Sequence, residues 1–169
     1  MIELRRGDLL DSTTEALIRE IDAEGTSRTS VGRRTEVRIG EKNLARLEQM
    51  RGSPVGTALL TPAGELPTSF VLHLIVSSME EPMTVRSVER GLRNALRRAA
   101  DFGIDSLALP PLGFGVGNID AESTAQMLVD VLAAHAQGGE PPTALEIVVE
   151  TEYEEEIFRR AIDAVAESL

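Results

Sequence analysis

Phe70-Val-Leu-His-Leu-Ile-Val76 decides the architecture. A continuous apolar run of this length, broken only by one histidine, marks a strand buried on both faces. After it, Val85 to Phe102 sets Val88, Leu92, Ala95, Leu96 and Ala99 along one side of a helix. Gly103 is placed to terminate that helix. Ser106 to Leu109 reads as a strand running into Pro110-Pro111, and Asp120 as the N-cap of a helix reaching about His135. Leu145 to Glu150 reads as a strand and Glu154 to Leu169 as a last helix. Strands and helices alternating with short connections predict an α/β fold: a mixed, mostly parallel central sheet in a three-layer α/β/α arrangement.

Towards the amino terminus the pattern is weaker. Ile2 to Arg6 reads as a strand ending at Gly7-Asp8. Glu15 to Ile21 is ambiguous: local propensity favours helix, while Leu17, Ile18 and Ile21 suit a short buried strand equally. Asp22 to Gly32, rich in Gly, Ser, Thr and Asp, predicts a loop. Arg33 to Met50 predicts one helix on the spacing of Val37, Leu44 and Leu47, ended by Gly52-Ser53-Pro54. Thr57 to Thr61 predicts a strand and Pro62-Ala-Gly64 a turn. Without an internal repeat or linker, 169 residues make a single domain spanning 1–169.

Composition narrows the function classes. An apolar content of 42% with 27% charged residues is that of a globular chain. No apolar run approaches the ~18 residues that cross a bilayer, and Met1 to Leu10 carries no apolar stretch resembling a secretory signal. There is no cysteine, which excludes disulfides and thiolate sites and leaves a cytoplasmic, reducing interior as the default expectation. A net charge of −11 argues against nucleic acid as a partner.

That charge is uneven. Residues 1–51 hold ten basic and ten acidic side chains; the remainder holds seven and 18, and so carries all of the excess. Within the neutral part, Arg28, Arg33, Arg34, Arg38 and Lys42 lie close together. A local basic patch on an acidic chain suits a small anion better than a long polyanion, although Glu36 and Glu41 interleave as they do on an ordinary solvated helix face.

In a sheet of this kind ligands bind beyond the carboxyl ends of the strands. The segment in that place is Pro110-Pro-Leu-Gly-Phe-Gly-Val-Gly-Asn118, followed by a helix start at Asp120. Glycine in three of five positions leaves backbone N–H groups uncovered, and the following helix adds a partial positive field. Both favour a phosphate; a tight strand-to-helix turn accounts for the same residues.

The chain resembles the macro domain family, whose members bind ADP-ribose and related nucleotides. Four collinear places carry the resemblance. Arg6-Gly-Asp-Leu-Leu10 is similar to the family's opening Gly-Asp-Ile/Leu. Gly56 to Pro67, followed by Phe70-Val-Leu-His73, is similar to Gly-x-Ala-x-x-Thr-x-Gly-x-x-Leu-Pro and x-Val-Ile-His. Leu92 to Leu96 with Ser106 to Pro110 resembles the helix and strand before the ligand loop. Leu112 to Gly117 stands where the family has Ile-Ser-Thr-Gly-Val-Tyr/Phe-Gly. The resemblance implies that Asp8 accepts a hydrogen bond from the adenine amino group and that Leu9 contacts adenine through its backbone. It further implies that Gly113, Phe114, Gly115, Val116 and Gly117 wrap the diphosphate and distal ribose. It implies as partners a free nucleotide or an ADP-ribosylated protein; no cofactor is expected, and two scattered histidines without cysteine make no metal site.

The departures bear on activity. Where the family's second strand ends in Asn-Ala-Ala-Asn, this chain has Arg19-Glu-Ile-Asp22. In hydrolytic members those asparagines position the distal ribose and a water, so Asp22 is left as the one candidate base for a hydrolase of O-acetyl-ADP-ribose or ADP-ribosylated side chains. The family's first glycine loop, ending Gly-Gly-Val, is replaced by Thr29-Ser30-Val31-Gly32, with Ser30, Val31 and Gly32 as the remaining ligand-binding candidates. The nearby arginines are suited to substitute, since guanidinium binds phosphate bidentately. The family's aromatic at the second loop is displaced to Phe114, which either lids the ligand or packs beneath it. Tyr153 is the nearest candidate for an aromatic against adenine.

Other candidates have ordinary explanations. His73 reads as a satisfied core histidine and His135 as a helix-end residue, while Asp120 and Glu122 read as cap and dipole residues. Three readings follow: a binder of ADP-ribose, an ADP-ribosyl ester hydrolase, and a scaffold that has lost the nucleotide and presents its acidic last helix to a partner. Whether the cleft between residues 27–34 and 113–117 is open or filled by side chains separates them.

Overall fold

The computed structural model describes residues 2–116 and 118–168. In chain order the elements are β1 (Ile2–Arg6), β2 (Ala16–Asp22), α1 (Ser30–Ile39), α2 (Glu41–Gln49), β3 (Ala58–Pro62), β4 (Phe70–Ser77), α3 (Val85–Asp101), β5 (Ser106–Leu109), α4 (Ala121–Gly138), β6 (Ala144–Val149) and α5 (Glu152–Ser168). The strands form one sheet in the order β1-β6-β5-β2-β4-β3. All neighbours are parallel except β3 on β4. No helix of the described residues is long and apolar enough to cross a membrane.

The ambiguous segment is β2, next to the centre of the sheet. Strand geometry sends alternate side chains to opposite layers. Ala16 and Ile18 join the core beneath α3, α4 and α5, whereas Leu17 and Ile21 join the core beneath α1 and α2. A strand covered on both sides needs both sets apolar, which erased the alternation that would have marked it. The reading of β4 from its apolar run holds: its residues 71–76 are all buried.

Two readings of the amino-terminal third are corrected. The helix expected over 33–50 is two helices, because Gly40 adopts φ +84° between them. The break resets the helical phase, and Val37 is 80% exposed while Leu47 is buried. The loop expected over 22–32 is also shorter. Thr29 caps α1 by accepting the Gly32 N–H at 3.1 Å, so Ser30, Val31 and Gly32 are its first turn.

The later helices follow their sequence signals. Thr84 and Ser87 form a reciprocal capping box ahead of the buried stripe of α3, and Gly103 follows its end at φ +67°. Asp120 caps α4 through the Ser123 N–H at 2.9 Å. These caps bring the amino termini of α1 and α4 to the carboxyl-end edge of the parallel strands, where the site lies.

Candidate functional site

Two cavities open side by side at the carboxyl ends of β2, β5 and β6. The first, of ≈ 230 Å³, is walled by Leu9, Val31, Pro110, Pro111, Phe114 and Val148, with Arg19 and Glu20 also in its lining. The second, of ≈ 450 Å³, is lined by Glu20, Asp22, Arg28, Ser77, Ser78 and Asn118 among others. Glu20 belongs to both. Both linings are mainly apolar with polar side chains interspersed; the first is the smaller slot and the second the larger pocket.

The wall from the β5–α4 connection is built by glycine. Gly113 and Gly115 have φ of +79° and +82°, the left-handed region that glycine enters without a steric penalty. Gly113 is buried, and its N–H donates to Glu20 Oε2 at 2.9 Å. Gly115 is exposed to the cleft. Phe114 between them is half-buried and lines the first cavity while its ring stacks on Phe158, centroids 5.4 Å apart. It therefore both packs below and faces the cavity. Val116 lines the second cavity, and the expectation for Gly117 lies outside the described residues.

The opposite wall is the start of α1. Ser30 and Val31 line the first cavity, and first-turn amides have no acceptor inside a helix. Gly32 is buried behind them, with its N–H taken by the Thr29 hydroxyl and its Cα against Ser27. Its role in the structure is close packing.

The floor is a row of buried polar groups absent from the candidates drawn from sequence. Arg19 is 1% exposed. Its Nε donates to His73 Nδ1 at 2.8 Å and its Nη1 to Ser27 Oγ and to Glu36 Oε1, the latter at 2.7 Å. His73 Nδ1 thus accepts, and its Nε2 lies 2.9 Å from Thr61 Oγ1, so the neutral ring bears its proton on Nε2. Burial, assisted by the Arg19 charge, holds His73 well below its ordinary value and keeps it neutral. Arg19 Nη2 is buried and has no hydrogen-bond partner among the described residues. Burial pulls this guanidinium below its ordinary value, and Glu36 opposes the shift.

Glu20, 3% exposed, points to the other layer. Besides the Gly113 amide it holds Arg28 in an ion pair. Burial raises its carboxyl above the ordinary carboxylate range, and Arg28 and the Gly113 amide pull it part of the way back. Arg28 Nη1 lies 3.5 Å from where a side-chain carbon on Gly115 would stand, so its side chain crosses between the two walls. Among the described residues the cleft is neither fully open nor plugged: the Arg28 side chain crosses it and pairs with Glu20 on the floor.

Asp8, next to Leu9 in the chain but in the lining of neither cavity, accepts the Leu10 N–H at 3.0 Å and Arg34 Nη1 at 3.0 Å. Arg34 continues to Glu150 at 2.8 Å. Leu9 is buried and lines the first cavity. Asp22 accepts the N–H groups of Glu24 and Thr26 at 3.0 and 2.9 Å, so a turn occupies it. Arg33 and Arg38 bond to backbone carbonyls, of Arg28 and Glu65 respectively, and line neither cavity. Tyr153 is 64% exposed and likewise absent from the lining. Among the described residues no cluster of three or more His, Asp or Glu is arranged to hold a metal ion.

A six-stranded mixed sheet with a glycine turn facing a helix start across the strand ends is an α/β domain with its cleft where such sheets take ligands. Residues 14–128 match the Macro domain family, and the chain belongs to it. An uncharacterized protein of Aeropyrum pernix is 35% identical over 127 residues, which is 72% of this chain and 64% of that one. The DNA ADP-ribosyl glycohydrolase of Mycobacterium tuberculosis is 28% identical over 133 residues, 76% of this chain and 38% of that one. The chain thus spans less than two thirds of the length of either relative. Among solved structures, the Oceanobacillus iheyensis macrodomain with ADP superposes with a TM-score of 0.87 at 18% identity, over 99% of this chain and 93% of that one. The Trypanosoma brucei macrodomain in complex with ADP-ribose gives 0.83 at 18% identity, over 95% and 68%.

Proposed function

We propose that this protein binds ADP-ribose or a closely related nucleotide diphosphate across the two cavities. One observation carries the reading: two adjoining, mainly apolar cavities that share Glu20 meet between the amino terminus of α1 and the Gly113–Val116 turn. Adenine enters the slot among Leu9, Pro110, Phe114 and Val148, with its amino group towards Asp8. The diphosphate passes between Ser30-Val31 and Gly115-Val116, where helix-start amides and a positive field favour negative charge. The distal ribose occupies the pocket beside Asp22, Ser77 and Asn118. Solved macro domains with ADP and with ADP-ribose support nucleotide binding by likeness of fold. A free nucleotide and an ADP-ribosylated protein both offer this group, in the cytoplasmic setting that a chain without cysteine suits.

Hydrolysis of an ADP-ribosyl bond is the second reading, favoured by the glycohydrolase relative. Asp22 serves it poorly, because two backbone N–H groups hold its carboxylate in a turn.

Calorimetric titration with ADP-ribose tests binding. Wild type gives a saturable heat, and Asp8→Ala weakens affinity by roughly tenfold, the worth of one hydrogen bond to a charged group. Absence of heat from wild type at millimolar ligand overturns the proposal.

A further inference from the structure

We propose that Arg19 and Arg28 form an anion site at the floor of the cleft, and that Glu20 is its resident counter-ion when no nucleotide is bound. The proposal rests on the nucleotide-binding reading and names the groups that would meet the diphosphate oxygens. Neither Arg19 nor Glu20 corresponds to a glycine-loop contact; both are charged groups set into a buried strand.

Three observations converge. First, Arg19 lines the first cavity and is almost wholly buried, yet Nη2 has no partner among the described residues while every other nitrogen of the guanidinium is bound. A buried guanidinium N–H without an acceptor is costly, and Arg19 is among the residues that line the cavity, so a small shift of the side chain would offer Nη2 to a ligand acceptor there. Second, Glu20 lines that same cavity and takes an amide from the glycine turn and a guanidinium from the opposite wall. Those are the two kinds of donor that a diphosphate takes, so the carboxylate occupies donors the ligand needs. Third, Arg28 is partly exposed, and its guanidinium lies beside Gly115, on the path assigned to the diphosphate. A short swing carries it from Glu20 to a phosphate oxygen.

The exchange is one of hydrogen bonds only. The nucleotide delivers about two negative charges; Arg28 leaves one carboxylate oxygen for a phosphate oxygen, Arg19 Nη2 gains an acceptor, and Glu20 keeps the Gly113 amide. Glu20 therefore sets the threshold for anion entry. A charge-neutral replacement that still accepts the Gly113 N–H lowers that threshold.

The test uses the full chain at one pH, with ADP-ribose and inorganic pyrophosphate as separate probes. Glu20→Gln tightens ADP-ribose by roughly threefold or more, since it removes an acceptor competing for Arg28. Arg28→Ala is made in the Glu20→Gln background, because alone it would strand a buried carboxylate. There it weakens ADP-ribose by roughly tenfold or more. A structural role for Glu20 predicts the opposite sign, weaker binding together with a lower melting temperature. An unchanged or weakened affinity in folded Glu20→Gln overturns the anion site while leaving nucleotide binding in place. Failure of wild type to bind ADP-ribose, with pyrophosphate still bound more tightly by Glu20→Gln, sinks the nucleotide reading and keeps the anion site. Failure of both probes sinks both. Should Glu20→Gln not fold, a wild-type crystal with ADP-ribose decides: Arg28 and Arg19 Nη2 within hydrogen-bond distance of phosphate oxygens support the proposal, and Arg28 still on Glu20 overturns it.

Discussion

The two walls of the cleft face the same opening and are made by different chemistry. The 112–116 turn is backbone shaped by glycine: Gly113 and Gly115 sit at positive φ, and their lack of side chains brings amides forward. The 27–32 wall is side chain: Ser27 is held by Arg19, Thr29 closes a cap, and Arg28 extends across the gap. A backbone wall is fixed by dihedral angles, and here it needs only one acceptor, Glu20, for its buried Gly113 amide. A side-chain wall needs buried charges, and each requires a partner while the site is empty. The difference between a rigid and a switchable anion wall lies there.

The largest effect is expected where the backbone wall is broken. Gly113→Val puts a β-branched residue at φ +79°, and even its Cβ would meet Thr124 Cγ2 and Val88 Cγ2 at 3.3 Å. Left-handed strain and overpacking each cost about 1–3 kcal/mol, so a loss of about 3 kcal/mol or more is expected, with loss of ADP-ribose binding. Chemical denaturation measures the first and calorimetry the second. A stable Gly113→Val that still binds ADP-ribose would remove the distinction between the walls.

A smaller effect is expected at the glycine of the side-chain wall. Gly32 has helical dihedrals, so alanine is not strained there, but its Cβ would lie 2.6 Å from Ser27 Oγ. Ser27 must move, and with it an acceptor of Arg19 Nη1. Gly32→Ala is expected to cost about 1–2 kcal/mol by overpacking, with binding weakened only a few-fold. A Gly32→Ala protein as unstable as Gly113→Val would show that both walls depend on glycine in the same way.

The same contrast explains what was legible beforehand. The backbone wall was partly legible: glycines after a strand fit a tight turn as well as a ligand loop, and the resemblance together with the alternating elements from Phe70 onward placed them at the strand ends. The side-chain wall was less so. Its glycine replacement was visible only as a departure, and Thr29 as a cap was hidden by a turn-rich composition. Arg19 and Glu20 were visible as two charges inside the apolar run Ala16 to Ile21, a conflict that a strand buried on both faces resolves only with partners. Their partners, Glu36, His73, Arg28 and the Gly113 amide, come from 8 to 93 positions away in sequence. Gly40 likewise gave no signal of the break, because one glycine within a helical pattern is ordinarily tolerated.

The smallest expected effect sharpens the comparison through protons. The groups facing Glu20 are Arg28 from the segment before α1, the Gly113 amide from the turn after β5, and Asp22 further along β2 in the same cavity; Arg19 on the preceding position is paired with Glu36 of α1. Burial sets the Glu20 carboxyl above its ordinary value of 4.5. With ADP-ribose bound, Arg28 is drawn away and anionic oxygens stand nearby, so the carboxyl rises further and binding takes up a fraction of a proton. Affinity for ADP-ribose therefore increases as pH falls through the raised range of the free protein, and levels off once Glu20 is protonated in both states. The folded protein gains from the same group in the same direction, with that contribution present in full below 4.5 and lost as pH rises through the raised folded value. His73 acts oppositely on stability alone: neutral when folded, it favours unfolding as pH drops below 6.5. Titrations at several pH values on wild type and Glu20→Gln separate the two, since the substitution abolishes the slope in affinity and leaves the acid loss of stability. A slope that survives in Glu20→Gln assigns the proton elsewhere and returns the side-chain wall to a fixed surface like the backbone wall.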